Sequence, residues 1–183
     1  MMKKLTALFL VGFVGAALTG CSSTPKQEQQ AEPKIEAQPT QTVSPATAAV
    51  DDEAVKMEAL QQKIAELRNK RVHFDFDRSN IKPEYFDVIK QHARFMQDNP
   101  EVKVTIAGYC DERGTVEYNL ALGERRANAA YNALVAAGVA PDRIQTVSYG
   151  ESYPLDPRHN EEAWAKNRRA TFVYGIGEFI RPH

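Results

Sequence analysis

From Arg71 onward the chain switches repeatedly between two hydrophobic periods. In "RVHFDFD" (Arg71–Asp77), Val72, Phe74 and Phe76 alternate with His73, Asp75 and Asp77, a period of two that predicts a strand with one buried face. "PEYFDVIKQHARFMQ" (Pro83–Gln97) opens on proline, which suits a first helical position, and its Phe86, Ile89 and Phe95 recur as a helical stripe until Asn99-Pro100 ends it. "VKVTIAGY" (Val102–Tyr109) alternates again and predicts a second strand. Thr115 then stands as a cap before a long helix over Val116–Ala137, with Gly138 where a helix end favours a left-handed residue. "IQTVSYG" (Ile144–Gly150) predicts a third strand and, after a loop rich in proline and charge, "NRRATFVYG" (Asn167–Gly175) a fourth. Strands interleaved with helices predict an α/β two-layer sandwich, with helices packed on a sheet of about four strands. The tail, 175–183, has no evident partner and is expected to fray.

Ahead of this domain (71–174) the pattern changes. Asp51–Lys70 reads as an amphipathic helix: acids lead, Arg68 and Lys70 close it, and Met57, Leu60, Ile64 and Leu67 form a seam. The seam is too short for a coiled coil and is expected to lean on its own domain. Residues 21–50 carry Gln, Pro, Thr, Glu and Ala with no aromatic side chain, too little apolar surface to offset chain entropy, so a disordered tether is expected. Residues 1–20 have a positive start (Lys3, Lys4) and an apolar run from Leu5 to Leu18, shorter than the roughly 20 residues of a membrane-spanning helix, and read as an export signal. "LTGC" (Leu18–Cys21) resembles a bacterial lipobox, which implies acylation at Cys21. Ser22 after it, by resemblance to enteric lipoproteins, implies anchoring in the outer membrane with the domain facing the periplasm. Several acyl chains together give stable attachment.

The chain has 2 cysteines, so acylation of Cys21 leaves Cys110 without an intramolecular disulfide partner. His73, His92, His159 and His183 show no metal-ligand spacing, and no cofactor is expected. A net charge of −1 with no basic stripe excludes nucleic-acid binding.

The densest chemistry lies in "CDERGTVEYNLALGERRA" (Cys110–Ala127). Asp111 ends the second strand, and Glu112 and Arg113 follow in a loop of the kind where binding residues collect. Leu122, Ala129, Ala130, Ala133, Leu134 and Ala137 supply the apolar stripe expected of the helix that carries Tyr118. Arg125 lies on one edge of that stripe, Arg126 and Asn119 on the other, and Glu124 points away. Periodicity leaves open which arginine faces a ligand, and whether these charges form a solvated set of ion pairs or the wall of a pocket.

"DERGTVEYNLALGERRANA", preceded by "VHFDFD" and followed by "TVSYGESYP" and "NRRATFVY", resembles the OmpA-like peptidoglycan-binding domain family over Arg71–Tyr174. The resemblance implies a mixed sheet and a non-enzymatic pocket for the meso-diaminopimelate side chain of peptidoglycan. It implies that Asp111 accepts hydrogen bonds from the ligand ammonium and Arg126 grips its carboxylate. Phe76, Asp77, Arg113, Asn119 and Leu122 come to the pocket wall by the same correspondence. For a lipid-anchored member it further implies an outer-membrane tether to the wall, with TolB, and TolA and other envelope proteins, as partners in constriction during division; a wall-binding lipoprotein outside the Tol system is the alternative. Tyr109, Cys110 and Val116 depart from the commoner family pattern. No G-x-S-x-G, H-E-x-x-H or glycine-rich phosphate loop is present, and Asp75 with Asp77, imagined as a hydrolase pair on one strand face, is the sole carboxylate pair that invites an enzymatic reading.

Overall fold

The computed structural model describes residues 45–182, with side chains from Asp52 onward. The export signal, Cys21 and the tether as far as residue 44 lie outside the described residues.

Helix α1 (Pro45–Arg68) begins at Pro45 rather than Asp51, so its first turns take in the last residues assigned to the tether. Its seam packs on its own domain. Leu60, Ile64 and Leu67 join the hydrophobic core, each burial contributing roughly 1.5–3 kcal/mol, while Met57 stays 40% exposed.

Strand β1 is only Val72–His73, shorter than the alternating pattern suggested. Phe74 is buried, but the chain then turns, Arg78 N–H donating to Asp75 O at 3.2 Å, and Asp77 takes a left-handed φ of 54°. Phe76 is consequently exposed, and Asp75 and Asp77 lie in a turn rather than on a strand face. Lys82 pairs with Asp75 at 3.4 Å, and Asp77 accepts from the Tyr118 hydroxyl.

A 3-10 turn (Pro83–Tyr85) leads into α2 (Phe86–Asp98), which buries Ile89, His92, Ala93, Phe95 and Met96. Phe86, expected in that stripe, is exposed. His92 occupies the core as a neutral imidazole. Nε2–H donates to Lys70 O at 2.9 Å, which leaves Nδ1 to accept from the Tyr174 hydroxyl at 2.5 Å.

Strands β2 (Val102–Tyr109) and β3 (Ile144–Gly150) have the expected boundaries and run parallel, joined over the sheet by α3 (Val116–Ala136). Strand β4 (Arg169–Ile176) pairs antiparallel with β2 on one side and β1 on the other, giving the order β1-β4-β2-β3 in a mixed four-stranded sheet. Thr115 caps α3, its hydroxyl accepting from Tyr118 N–H at 3.2 Å, and Gly138 has a φ of 93° beyond the other end.

The buried face of α3 is Asn119, Leu122, Gly123, Arg126, Ala127, Ala130 and Leu134. Leu122, Ala130 and Leu134 of the expected stripe are on it, but Tyr118 is exposed and the face extends instead over Asn119, Gly123, Arg126 and Ala127. Backbone proximity explains the extension. A Cβ on Gly108 would sit 1.8 Å from Gly123 O, and one on Gly123 would sit 2.4 Å from the Ser148 hydroxyl, so this glycine face lies directly on β2 and β3.

Two further features depart from expectation. The charged loop contains a short helix, α4 (Glu161–Asn167), capped by Asn160, whose side chain accepts from Ala163 N–H at 3.0 Å. The tail does not fray: Gly177 N–H donates to Glu101 O at 2.8 Å, and the Tyr149 hydroxyl donates to Pro182 O at 2.6 Å.

Candidate functional site

The parallel strands β2 and β3 end on the same side, the position where ligands gather in open α/β sheets. There the turn after β1, the loop after β2 and the first turns of α3 enclose a cavity of about 210 Å³. Phe76, Asp77, Asp111, Arg113, Asn119, Leu122 and Arg126, all seven residues expected at a site, line it, together with Cys110, Gly114 and Tyr118.

Arg126 is the inside arginine and is 0% exposed, whereas Arg125 is exposed and lies against the Tyr118 ring at 5.7 Å. Nε of Arg126 donates to Arg78 O at 2.9 Å and Nη2 to Asp75 O at 3.2 Å. Nη1 donates to Tyr109 O at 2.8 Å and to Cys110 Sγ at 3.3 Å. These bonds occupy four of the five guanidinium N–H groups. Among the described residues no carboxylate forms an ion pair with it. A buried cation normally has such a partner, since burying an unpaired charge costs several kcal/mol. Burial accordingly lowers the Arg126 pKa, with the Cys110 and Asp111 sites opposing that shift.

Asp111, 4% exposed, has the opposite surroundings. Its Oδ1 accepts from Arg113 N–H at 3.1 Å and Arg113 Nε at 3.1 Å, and its Oδ2 from Arg113 Nη2 at 2.8 Å and Arg168 Nη1 at 3.2 Å. Burial pushes its pKa up, but the hydrogen bonds from Arg113 and Arg168 outweigh this and hold it below the usual value. The Arg113 guanidinium is clasped between two rings, 4.0 Å from Phe76 and 4.2 Å from Trp164, an arrangement that favours the cation at each face. Arg168 is fixed in turn by Phe74 O at 3.0 Å and Glu161 at 2.7 Å.

Asn119 ties the wall together: its Nδ2 donates to Asp111 O at 3.2 Å, Arg113 O at 3.3 Å and Glu151 Oε2 at 2.5 Å. Its own carbonyl accepts from the Cys110 thiol at 3.3 Å. Burial pushes that thiol up to about 11, so Cys110 is a neutral wall residue at ordinary pH. Arg168 and Trp164 were not singled out by sequence reasoning. Arg168 is visible only as one of two adjacent arginines before a strand, and Trp164 sits on a helix too short to show a period.

What these walls can do chemically is hold a zwitterion. A buried acid and a buried, acid-free guanidinium share one small cavity, and no metal-ligating cluster occurs among the described residues. A family model for the OmpA family matches residues 73–168. A peptidoglycan-associated lipoprotein of Pasteurella multocida (strain Pm70) is 39% identical over 173 residues, 94% of this chain and 100% of its own length. One from Haemophilus influenzae is 45% identical over 58% of this chain and 70% of its own. The crystal structure of the peptidoglycan-associated lipoprotein from Burkholderia pseudomallei superposes with a TM-score of 0.57 at 43% identity, covering 57% of this chain and 89% of that one. The chain therefore belongs to the OmpA family, with similarity to peptidoglycan-associated lipoproteins along nearly all its length. It is a binding protein, not an enzyme.

Proposed function

We propose that the protein binds peptidoglycan non-covalently by holding the side-chain end of meso-diaminopimelate in the cavity between Asp111 and Arg126. The observation that carries this reading is Arg126, a wholly buried cation in a small cavity with no acidic partner among the described residues. A ligand carboxylate supplies the missing countercharge. The ligand ammonium is drawn to Asp111, taking one of the contacts that Arg113 makes there. A peptide with lysine in place of diaminopimelate has the ammonium but no side-chain carboxylate, and leaves Arg126 unpaired at a cost of a few kcal/mol.

In the same reading the protein is an outer-membrane lipoprotein, acylated at Cys21, whose domain staples the membrane to the wall from the periplasm. Similarity to a peptidoglycan-associated lipoprotein over 94% of the chain supports this. Among the described residues no helix is long and apolar enough to cross a membrane. TolB, and TolA during constriction, are the proposed partners, with the wall and TolB competing for overlapping surfaces. Recovery of a ternary complex in a pull-down would count against that competition.

Calorimetric titration with a muropeptide containing meso-diaminopimelate tests the central step. Binding is expected for that peptide and at least tenfold weaker binding for its lysine counterpart, a difference of about 1.4 kcal/mol or more. Equal binding of the two overturns the assignment of Arg126.

A further inference from the structure

The opposite side of the sheet holds a second, differently built cavity. Arg169, Thr171 and Val173 alternate along β4 with the core residues Ala170, Phe172 and Tyr174, and so face away from the core. Above them the returning tail and the junction between α1 and β1 enclose a space of about 350 Å³. Four arginines line it, Arg68, Arg71, Arg169 and Arg181, and no Asp or Glu does.

Arg169 is 4% exposed, yet among the described residues neither it nor the other three forms an ion pair. Its Nη1 donates to Asn167 O at 3.3 Å and its Nη2 to Tyr153 O at 3.1 Å, and the guanidinium lies 3.7 Å from the centre of the Tyr109 ring. Its Nε is buried without a partner, and so is Nε of Arg71. Among the described residues only one other buried side-chain polar atom, the Thr105 hydroxyl, lacks a partner. Burial lowers the Arg169 pKa to about 10, with the Arg71 charge adding to the effect and the Tyr109 site opposing it. Orphaned guanidinium N–H groups at this depth mark missing acceptors.

We propose that this cavity is a binding site for a phosphate-type oxyanion. Each guanidinium offers a planar fork of donors that matches two oxygens of a phosphate, and a multiply charged tetrahedral anion can engage several forks at once. A single carboxylate has too few oxygens and too little charge to satisfy four cations. The tail closes the site, supplying Arg181 between Ile180 and Pro182, and this gives the segment that docks back on the sheet a role. The phosphate can belong to a soluble monoester or to a lipid headgroup. The cavity is separate from the one lined by Asp111 and Arg126, so the proposal stands independently of the wall-binding reading.

The test titrates the full-length protein with inorganic pyrophosphate at fixed ionic strength, following arginine Nε–H resonances by NMR and heat by calorimetry. Saturable binding that shifts the Arg71 and Arg169 Nε–H signals is expected, weakened about tenfold in Arg181→Ala and in Arg68→Ala. Both positions are exposed, so these variants keep the fold even if Arg169→Lys does not. Arg158→Ala, an exposed arginine outside the cavity, controls for loss of general charge and should bind like wild type. A second arm floats the Cys21→Ser protein, which cannot be acylated there, with phosphatidylcholine vesicles with and without phosphatidic acid. Binding to pyrophosphate alone identifies a soluble ligand, and binding confined to phosphatidic acid vesicles and lost in Arg181→Ala identifies a headgroup. No saturable binding in either arm, or binding unchanged in both Arg181→Ala and Arg68→Ala, overturns the proposal.

Discussion

Arg113 grips Asp111 at both oxygens, with Nε on Oδ1 at 3.1 Å and Nη2 on Oδ2 at 2.8 Å, while Phe76 and Trp164 hold its guanidinium from either side. This clasp keeps a buried carboxylate ionised. In Arg113→Ala, burial is opposed chiefly by Arg168, so the Asp111 pKa should rise above its wild-type value. The carboxyl ¹³C resonance of Asp111, titrated in both proteins, reads this directly, and an unmoved titration would show that the clasp does not set the charge.

The contact between α3 and the sheet depends on two glycines. An alanine at position 108 places its Cβ 1.8 Å from the backbone carbonyl of Gly123, which cannot swing aside as a side chain can. Gly108→Ala should cost about 3 kcal/mol or more, measured by urea denaturation, because α3 must lift from β2 and carry Asn119 and Arg126 with it. A loss below about 1 kcal/mol would mean that the helix has room to move.

His92 makes stability depend on acid. Burial lowers its pKa to about 4, partly offset by its bond to the Lys70 carbonyl, against an unfolded value of about 6.5. The unfolded chain therefore binds the extra proton in this range. The contribution of the neutral imidazole is fully present above pH 6.5 and is lost as pH falls from there to about 4, by up to about 3 kcal/mol. Denaturation at a series of pH values should show this slope, and His92→Leu, though less stable, should flatten it between pH 4.5 and 6.5. An equal slope in the variant would assign the effect elsewhere.

Strands β2 and β3, the Thr115 cap and the left-handed Gly138 could be read from sequence because local pattern and final environment agree there. Several of the differences lie around the cavity. Phe76 continues an alternating run, yet the chain turns beneath it and spends the ring on Arg113 rather than on the core. On α3, polar Asn119 and Arg126 are buried and the small residues Gly123 and Ala127 face the sheet, so a stripe drawn from side-chain hydrophobicity catches Leu122, Ala130 and Leu134 but misses the rest of the buried face. The positions of Asp111 and Arg126 as a facing acid and base came from family resemblance, since helical geometry alone left Arg125 and Arg126 equivalent. Arg168, which completes the grip on Asp111, is 57 residues away in the chain and no local pattern connects the two. The tail docks through a carbonyl and a tyrosine hydroxyl, contacts with no periodic signature.

The most direct measurement is co-sedimentation of the protein with two kinds of sacculi, one carrying meso-diaminopimelate and the other lysine. Wild type, Asp111→Ala and Arg126→Ala are compared, with circular dichroism to confirm that each is folded. Binding to the diaminopimelate sacculi only, lost in both folded variants, is the predicted result. Equal binding to both sacculi, or variants that sediment like wild type, would contradict the account of Asp111 and Arg126 as the two poles of a zwitterion clamp.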